Sequence, residues 1–235
     1  MSTLIDYAPM LWSGLLITLA LFAFGSLLTV LVAFVAGLAR LSRRLVLRGS
    51  AAVFIELFRG TSMIVQLFWF FYALPLLGVS LSPFATGVLV LGLNEGAYAA
   101  EIVRGAIRAR PVGQTEACVA LGISPTKTFF RILIPQSVPA MIPPFGNVLV
   151  DLLKTTSLVS TVTVLELTNQ GLVVRTNTGE TATVFVMLLI VYLVLSSAVS
   201  GAVRLFEKRF GHAHASPNRR VMSPLLVSGR RSAVR

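Results

Sequence analysis

Long apolar runs alternate with short polar segments along this chain. A helix needs about 20 apolar residues to cross the hydrocarbon core of a bilayer. Five runs approach or exceed that length, and they cover residues 11–38, 51–79, 84–104, 138–167 and 183–206. The pattern therefore predicts an all-α fold, a polytopic membrane bundle of about five transmembrane helices.

Composition and charge placement agree with a membrane protein. Hydrophobic residues make up 55% of the chain and charged residues only 12%, against roughly 25% charged residues in soluble domains. The cations cluster at 40–48, 104–131 and 204–235, whereas the connections 76–83 and 168–182 hold only Arg175. This alternation predicts the N-terminus outside and the C-terminus inside. It also assigns the net charge of +11 to contact with anionic lipid rather than nucleic acid.

Residues 105–136 form an amphipathic connection that this topology places in the cytoplasm. Pro111 and Gly113 are predicted to end the preceding helix, and a new helix is predicted to open at Gln114. The small residues 117–120 would let its backbone lie close to a partner. A structured polar segment of this kind favours a docking element, although its periodicity fits equally well an amphipathic hairpin lying on the membrane.

The second half of this connection predicts a turn and another helix. Gly122 is expected to end the first helix with a left-handed cap. Ser124 and Pro125 provide an N-cap and a first helical residue. The apolar residues of 129–134 are expected to pack this second helix on the bundle, and Pro135 to break it before the fourth run.

The third apolar run contains two polar residues, Asn94 and Glu95. A charge at membrane depth is costly and normally faces a cavity or a partner. Gly92 and Gly96 form a G-x-x-x-G pair that favours close helix contact. Glu95 either lines a translocation path or subunit interface, where it could accept a cationic group, or bonds to a neighbouring helix.

The fourth run contains an acid and a base, Asp151 and Lys154, three residues apart. They follow the proline-rich segment 143–147, where the helix is predicted to be irregular, and irregular backbone at membrane depth often lines a site. The two charges suit a zwitterionic substrate, but an internal ion pair is the favoured interpretation. The candidate substrate-path residues are Asn94, Glu95, Asp151 and Lys154.

Two further acid–base pairs share this spacing, Glu56 with Arg59 and Glu101 with Arg104. Each pair is predicted to join on one helix face and to anchor its helix near the cytoplasmic end. A stripe of small residues in the last run suits close packing against another helix or another copy of the chain. That stripe consists of Ser196, Ser197, Ser200 and Gly201.

No sequence signature of catalysis is present. The chain lacks a phosphate-binding G-x-x-x-x-G-K-[ST] loop, an H-E-x-x-H zinc motif and a G-x-S-x-G nucleophile motif. Its two histidines, His212 and His214, lie in a basic segment, 211–235, that is predicted to be a disordered cytoplasmic tail. Neither a catalytic site nor a metal site is predicted.

Several motifs together resemble one family. Residues 95–136, with Glu116-Ala117-Cys118, Gly122 and Pro135, resemble the "EAA" loop of inner-membrane permease subunits of binding-protein-dependent ABC importers. Residues 56–66, 96–107 and 154–158 are similar to the polar amino acid uptake permeases, particularly those described as ectoine/hydroxyectoine importers. Cys118, Ile134 and Ser62 depart mildly from the usual residues.

The resemblance implies a type I ABC importer permease fold over residues 1–210, in the bacterial inner membrane. It implies that Gly113, Glu116, Ala117 and Gly122 couple to separate ATPase subunits, which bind ATP and Mg. A second permease subunit, identical or paralogous, and an extracytoplasmic solute-binding protein would complete the importer. The alternatives are a stand-alone secondary transporter or channel, and a membrane scaffold without transport activity.

Overall fold

The computed structural model describes residues 6–211, and all regular structure within them is helical. The predicted tail 211–235, apart from Gly211, lies outside the described residues, and so do His212 and His214. Nine helices are numbered here in chain order: α1 Ala8–Arg40, α2 Leu45–Gly60, α3 Met63–Phe68, α4 Pro83–Arg108, α5 Val112–Ala120, α6 Pro125–Lys127, α7 Ile134–Thr155, α8 Leu167–Thr178 and α9 Thr181–Gly211. Three of these helices continue as π-helix or 3-10 helix. Helix α3 continues as the π-helix Trp69–Ala73 and the 3-10 helix Leu74–Leu77. The π-helix Thr128–Leu133 follows α6, and the 3-10 helix Thr156–Val162 follows α7.

Helices α1 and α4 form the centre of the bundle and run parallel to each other. A Cβ atom added to Gly92 would lie 2.6 Å from the Leu28 side chain, and one added to Gly96 would lie 2.6 Å from Val32. The G-x-x-x-G pair therefore makes the close helix contact that was predicted. The contacts of Gly92 with Leu28 and of Gly96 with Val32 show that the two helices have the same direction. The connection between them, residues 41–82, must therefore return across the bundle in the opposite direction.

The number of membrane crossings depends on how bent helices are counted. Among the described residues, α1 and α9 are each long and apolar enough to span a membrane, and two bent helix pairs raise the number to four. Helix α4, with 26 residues, carries Asn94 and Glu95 in its middle, and it can do so because α1, α2 and α7 pack around it. Five crossings therefore remain a prediction, which the parallel α1–α4 pair supports.

The second apolar run is not one straight span. The chain bends by 105° between the helical stretches Leu45–Gly60 and Met63–Leu77. The physical reason lies in the sequence Gly60-Thr61-Ser62, which leaves the helix in extended backbone at Thr61 and Ser62. The break lies 16 residues after the start of α2, which corresponds to about 24 Å of helix.

The fourth run is broken at a different place from the one predicted. Helix α7 continues without interruption through Pro139, Pro143 and Pro144, so the predicted irregularity at 143–147 is wrong. Prolines are tolerated inside membrane helices when neighbouring helices support the backbone, and Gly146 here packs directly on Val203 of α9. Regular α-helix ends instead at Thr155, where the 3-10 turns begin.

Helix α8 occupies most of the connection 168–182 that was predicted as a loop between membrane spans. It bends away from the preceding helical segment by 54°. Its buried residues Leu167 and Val174 pack with Leu188 of α9 and, at the start of α1, with Leu11 and Leu15. Helix α8 thus closes the end of the bundle opposite to α5.

Candidate functional site

The bend between α2 and α3 is stabilised by two buried side-chain amides. Asn94 of α4 donates from Nδ2 to the Phe58 carbonyl oxygen over 2.8 Å and to Gln66 Oε1 over 3.1 Å. Gln66 donates from Nε2 to the same carbonyl oxygen over 2.9 Å and to the Thr61 hydroxyl oxygen over 2.7 Å. These bonds satisfy backbone groups that the bend releases, as an apolar environment requires.

A cleft of about 410 Å³ opens beside this bend. It is lined by residues 61–63 of the bend, by Asn94, Glu95 and Tyr98 of α4, and by Val148 and Asp151 of α7. Three of the four predicted substrate-path residues, Asn94, Glu95 and Asp151, therefore lie together. Glu95 is only 6% exposed, and its carboxyl group is close enough to that of Asp151 to interact with it electrostatically.

Lys154, the fourth predicted substrate-path residue, does not line this cleft. Among the described residues it forms no ion pair with Asp151, so the favoured internal pair is wrong. The two side chains enter different clefts, Asp151 beside α4 and Lys154 beside α9. The acid-lined cleft is therefore not neutralised by the lysine three residues away.

The surroundings of Glu95 bear on its two predicted roles, lining a translocation path or subunit interface and bonding to a neighbouring helix. Within the described part of the chain, its carboxyl group makes no hydrogen bond to a neighbouring helix. The glycine face of α4, at Gly92 and Gly96, packs on α1, whereas Glu95 lines the cleft. Glu95 thus faces a cavity rather than a helix–helix contact.

The two other acid–base pairs behave differently from each other. Glu101 pairs with Arg104, whose Nε lies 2.7 Å from Glu101 Oε2, as predicted, and Arg40 of α1 approaches the same carboxylate at 3.9 Å. Glu56 and Arg59 form no ion pair among the described residues, so that prediction is wrong. Arg59 is the residue before the last in α2, next to the bend, and its guanidinium carbon lies 5.0 Å from the centre of the Tyr98 ring.

The predicted coupling segment is a short helix closed by a left-handed glycine. Gly122 has φ +71°; its N–H bonds to the Val119 carbonyl oxygen over 3.0 Å, and the Ile123 N–H bonds to the Cys118 carbonyl oxygen over 2.9 Å. These two bonds define a Schellman cap, so the predicted turn is confirmed. Gly113, however, lies inside α5, which begins at Val112, so it does not end the preceding helix.

One face of α5 is anchored and the rest is open. Cys118 is buried, and Gly113, Glu116, Ala117 and Gly122 are exposed. The exposed apolar side chains beside them, 68% for Val119 and 76% for Leu121, are unusual outside a membrane or an interface. The four predicted coupling residues therefore share one accessible surface, called here the α5 surface.

The segment after Gly122 leads without a break into α7. Ser124 occupies the N-cap position and Pro125 the first turn, as predicted, although the Ser124 side chain makes no capping bond. Pro135 does not end the helix, because it lies in the first turn of α7, where the preceding π-helix supplies a helical entry. Phe129 and Ile134 pack in the core, whereas Phe130 is 57% exposed, contrary to prediction.

The small-residue stripe of α9 faces a second, open cleft of about 730 Å³. Ser196, Ser197, Ser200 and Gly201 line it together with the cations Lys154 and Arg204. The stripe therefore lines an open cleft, and its packing against another helix or another copy of the chain stays a prediction.

Sequence reasoning missed the most buried carboxyl group. Glu166 is 0% exposed and is the N-cap of α8; it accepts the Thr168 and Asn169 N–H groups over 2.8 Å each. Tyr192 of α9 donates to it over 3.1 Å, and Thr18 of α1 approaches at 3.5 Å. An acid followed by Leu-Thr-Asn at the end of an apolar run was a signal for a helix start, but glutamate is an uncommon cap.

Comparison with known proteins identifies the family. The family model for "Binding-protein-dependent transport system inner membrane component" matches residues 29–212. The chain is 39% identical over 208 residues to a probable amino-acid ABC transporter permease, y4tF of Sinorhizobium fredii (strain NBRC 101917 / NGR234), covering 86% of this chain and 87% of that one. It is 34% identical to the L-cystine transport system permease TcyB of Bacillus subtilis (strain 168), covering 87% and 88%.

Another relative and a solved structure support the same family assignment. The glutamine transport system permease GlnP of Escherichia coli (strain K12) is 32% identical, covering 86% of this chain and 93% of that one. The crystal structure of an amino acid ABC transporter with histidines superimposes with a TM-score of 0.82 at 30% identity, covering 88% and 96%. Such permease subunits are not themselves enzymes, as predicted here. The chain therefore belongs to the inner-membrane components of binding-protein-dependent transport systems, the permease subunits of ABC importers.

Proposed function

We propose that this permease forms the translocation path of an ATP-driven importer for polar amino acids or related compatible solutes such as ectoine and hydroxyectoine. One observation carries the proposal. The exposed α5 surface and the acid-lined cleft are joined by a single helical element, which runs from Pro125 through α7 to Asp151. A force applied at α5 would therefore reach a wall of the cleft through rigid backbone.

The chemistry of the cleft supports a substrate that carries a cationic group. Glu95 and Asp151 supply two carboxyl groups, and neither has a cationic partner among the described residues. An ammonium group, or the amidinium group of ectoine, would provide the missing charge. The relatives named above transport cystine, glutamine or other amino acids by their printed names, which supports an amino acid for this chain as well.

The α5 surface is the proposed contact with the ATPase. Glu116 and Ala117 lie on its exposed side, and the Schellman cap at Gly122 fixes the angle at which the following helix leaves. The apolar exposure of Val119 and Leu121 fits a protein partner better than water. ATP and Mg would be bound by that partner; within this chain, α5 supplies only the docking helix.

A second permease subunit is the proposed partner of the α9 cleft. Lys154 is exposed one helical turn after Val150 of α7, and both residues line this cleft. A lysine that faces lipid at membrane depth would be costly. The serine stripe beside it allows close approach of another helix. A solute-binding protein would dock at the opposite end from α5, and the arginines of 40–48 would contact anionic lipid.

Reconstitution tests the function directly. The permease should be inserted into liposomes with its ATPase and binding protein, and uptake of radiolabelled L-glutamine, L-arginine, L-cystine and ectoine measured with and without ATP. Uptake that requires ATP and all subunits is expected. Uptake by the permease alone would indicate a stand-alone transporter, and no uptake of any amino acid or ectoine by the complete assembly would contradict the proposal.

A further inference from the structure

We propose that Arg59 recognises the carboxylate of the transported solute beside the acid-lined cleft, and so gives the permease a preference for solutes with a free carboxylate. This inference rests on the proposed function, because it assigns the second charge of a zwitterionic substrate whose cationic group faces Glu95 and Asp151. The steps that carry it are the position of Arg59, its missing partner and the orientation of its guanidinium group.

Arg59 lies at the point where three helices meet. It is the residue before the last in α2, next to the 105° bend, and its backbone carbonyl oxygen accepts a 3.4 Å hydrogen bond from the Tyr98 hydroxyl. Tyr98 lines the cleft and lies one helical turn after Glu95 on α4. Residues three apart lie on the same face of a helix. Arg59 does not itself line the cleft, but its contact with the Tyr98 ring places it next to a residue that does.

The charges around the cleft are complementary but separated. Among the described residues no carboxylate forms an ion pair with Arg59, including Glu56 one turn earlier on α2. Glu95 and Asp151 likewise have no basic partner in the described chain. An arginine and two carboxyl groups that lie on either side of Tyr98 without pairing leave one position for an anion and another for a cation. A zwitterion fills both positions at once.

The Tyr98 ring orients the guanidinium group. Arg59 Cζ lies 5.0 Å from the ring centre, within the range of a cation–π contact. Stacking of this kind fixes the guanidinium group while leaving its N–H groups free, and two of them can bind a carboxylate in a bidentate manner. A lysine at this position would keep the charge but would lose both the stacking on Tyr98 and the bidentate hydrogen bonding.

Binding to the intact permease–ATPase complex in nanodiscs tests this assignment without the selectivity of the binding protein. L-Glutamine, L-arginine and ectoine should each be measured by calorimetry as the free acid and as the methyl ester, which lacks the negative charge. The wild type is expected to prefer the free acid by about tenfold to a hundredfold, the range for a charge-assisted hydrogen bond. Arg59→Gln should lose that preference while binding the ester as before, and Arg59→Lys should recover only part of it.

Two further variants separate recognition from folding. Tyr98→Phe keeps the ring and should keep the preference for the free acid, whereas Tyr98→Leu removes the platform and should reduce it. Arg175→Gln is the charge-matched control, because Arg175 is exposed on α8 and does not line the cleft. Equal loss of acid and ester binding in Arg59→Gln, or an unchanged preference, would overturn the role of Arg59. Failure of the wild type to bind any of the three acids would instead refute the proposed function.

Discussion

The side-chain amide of Asn94 lies 2.8 Å from the carbonyl oxygen of Phe58, and this hydrogen bond joins α4 to the broken end of α2. Asn94, in the middle of the third apolar run, therefore supports the bend in the second apolar run. The same bend forms one wall of the acid-lined cleft. Asn94→Ala should therefore destabilise the protein by about 1–3 kcal/mol, because it leaves buried polar groups with fewer partners.

Thermal unfolding in detergent measures this effect. Asn147→Ala is a suitable control, since Asn147 is exposed on α7 and its removal should change the midpoint little. Equal midpoints for Asn94→Ala and the wild type would show that Gln66 alone satisfies the bend.

The turn after α5, which is proposed to couple to the ATPase, depends on the backbone of Gly122. At φ +71° a β-branched residue is strained, whereas asparagine adopts this region more readily. Gly122→Val should abolish ATP-driven uptake with normal membrane insertion, and Gly122→Asn should retain much of it. Measurement of uptake against the amount of inserted protein checks both variants. Similar activities for valine and asparagine would argue against a left-handed cap as the coupling device.

The contact between α1 and α4 depends on the absence of a side chain at Gly92. A Cβ atom there would lie 2.6 Å from Leu28, so Gly92→Leu should separate the helices and cost about 1–3 kcal/mol or more. Gly105→Leu is the matched control on the same helix, because no atom lies within 4 Å of the corresponding Cβ position. The folded fraction by size-exclusion chromatography should fall only for Gly92→Leu.

The buried Glu166 carboxylate connects α8 with α1 and α9. Glu166→Ala would leave the N–H groups of Thr168 and Asn169 without their side-chain acceptor and would remove one partner of the Tyr192 hydroxyl. The loss should reach about 2 kcal/mol or more in the free energy of unfolding. Glu180→Ala, which removes an exposed glutamate at the other end of α8, should have almost no effect in the same unfolding experiment.

Asp151 should contribute to substrate binding rather than to stability. It is exposed in the cleft and has no ion-pair partner among the described residues, so Asp151→Asn should leave the unfolding midpoint unchanged. It should weaken binding of a cationic probe such as L-arginine by about tenfold, the effect of one charge-assisted bond. Lys154→Gln, in the other cleft, should leave L-arginine affinity as it is. The reverse result would exchange the roles of the two clefts.

The sequence by itself determined the membrane character, the all-helical class and the left-handed turn at Gly122. Apolar run length and the low charge content are properties of composition, which no tertiary contact can reverse in a bilayer. The turn at Gly122 is equally local, since one glycine and the Ser124-Pro125 pair specify it through backbone sterics.

Only the tertiary structure decided which polar residues meet. Residues 60–62 start the 105° bend locally, but part of its support comes from Asn94, which reaches Phe58 from another helix. No pattern within residues 51–79 contains that second contribution. Spacing alone predicted ion pairs for Glu56 with Arg59 and for Asp151 with Lys154. Packing against Tyr98 and α9 instead separated the partners, because each side chain is oriented by the neighbours of its helix as well as by its position in the helix.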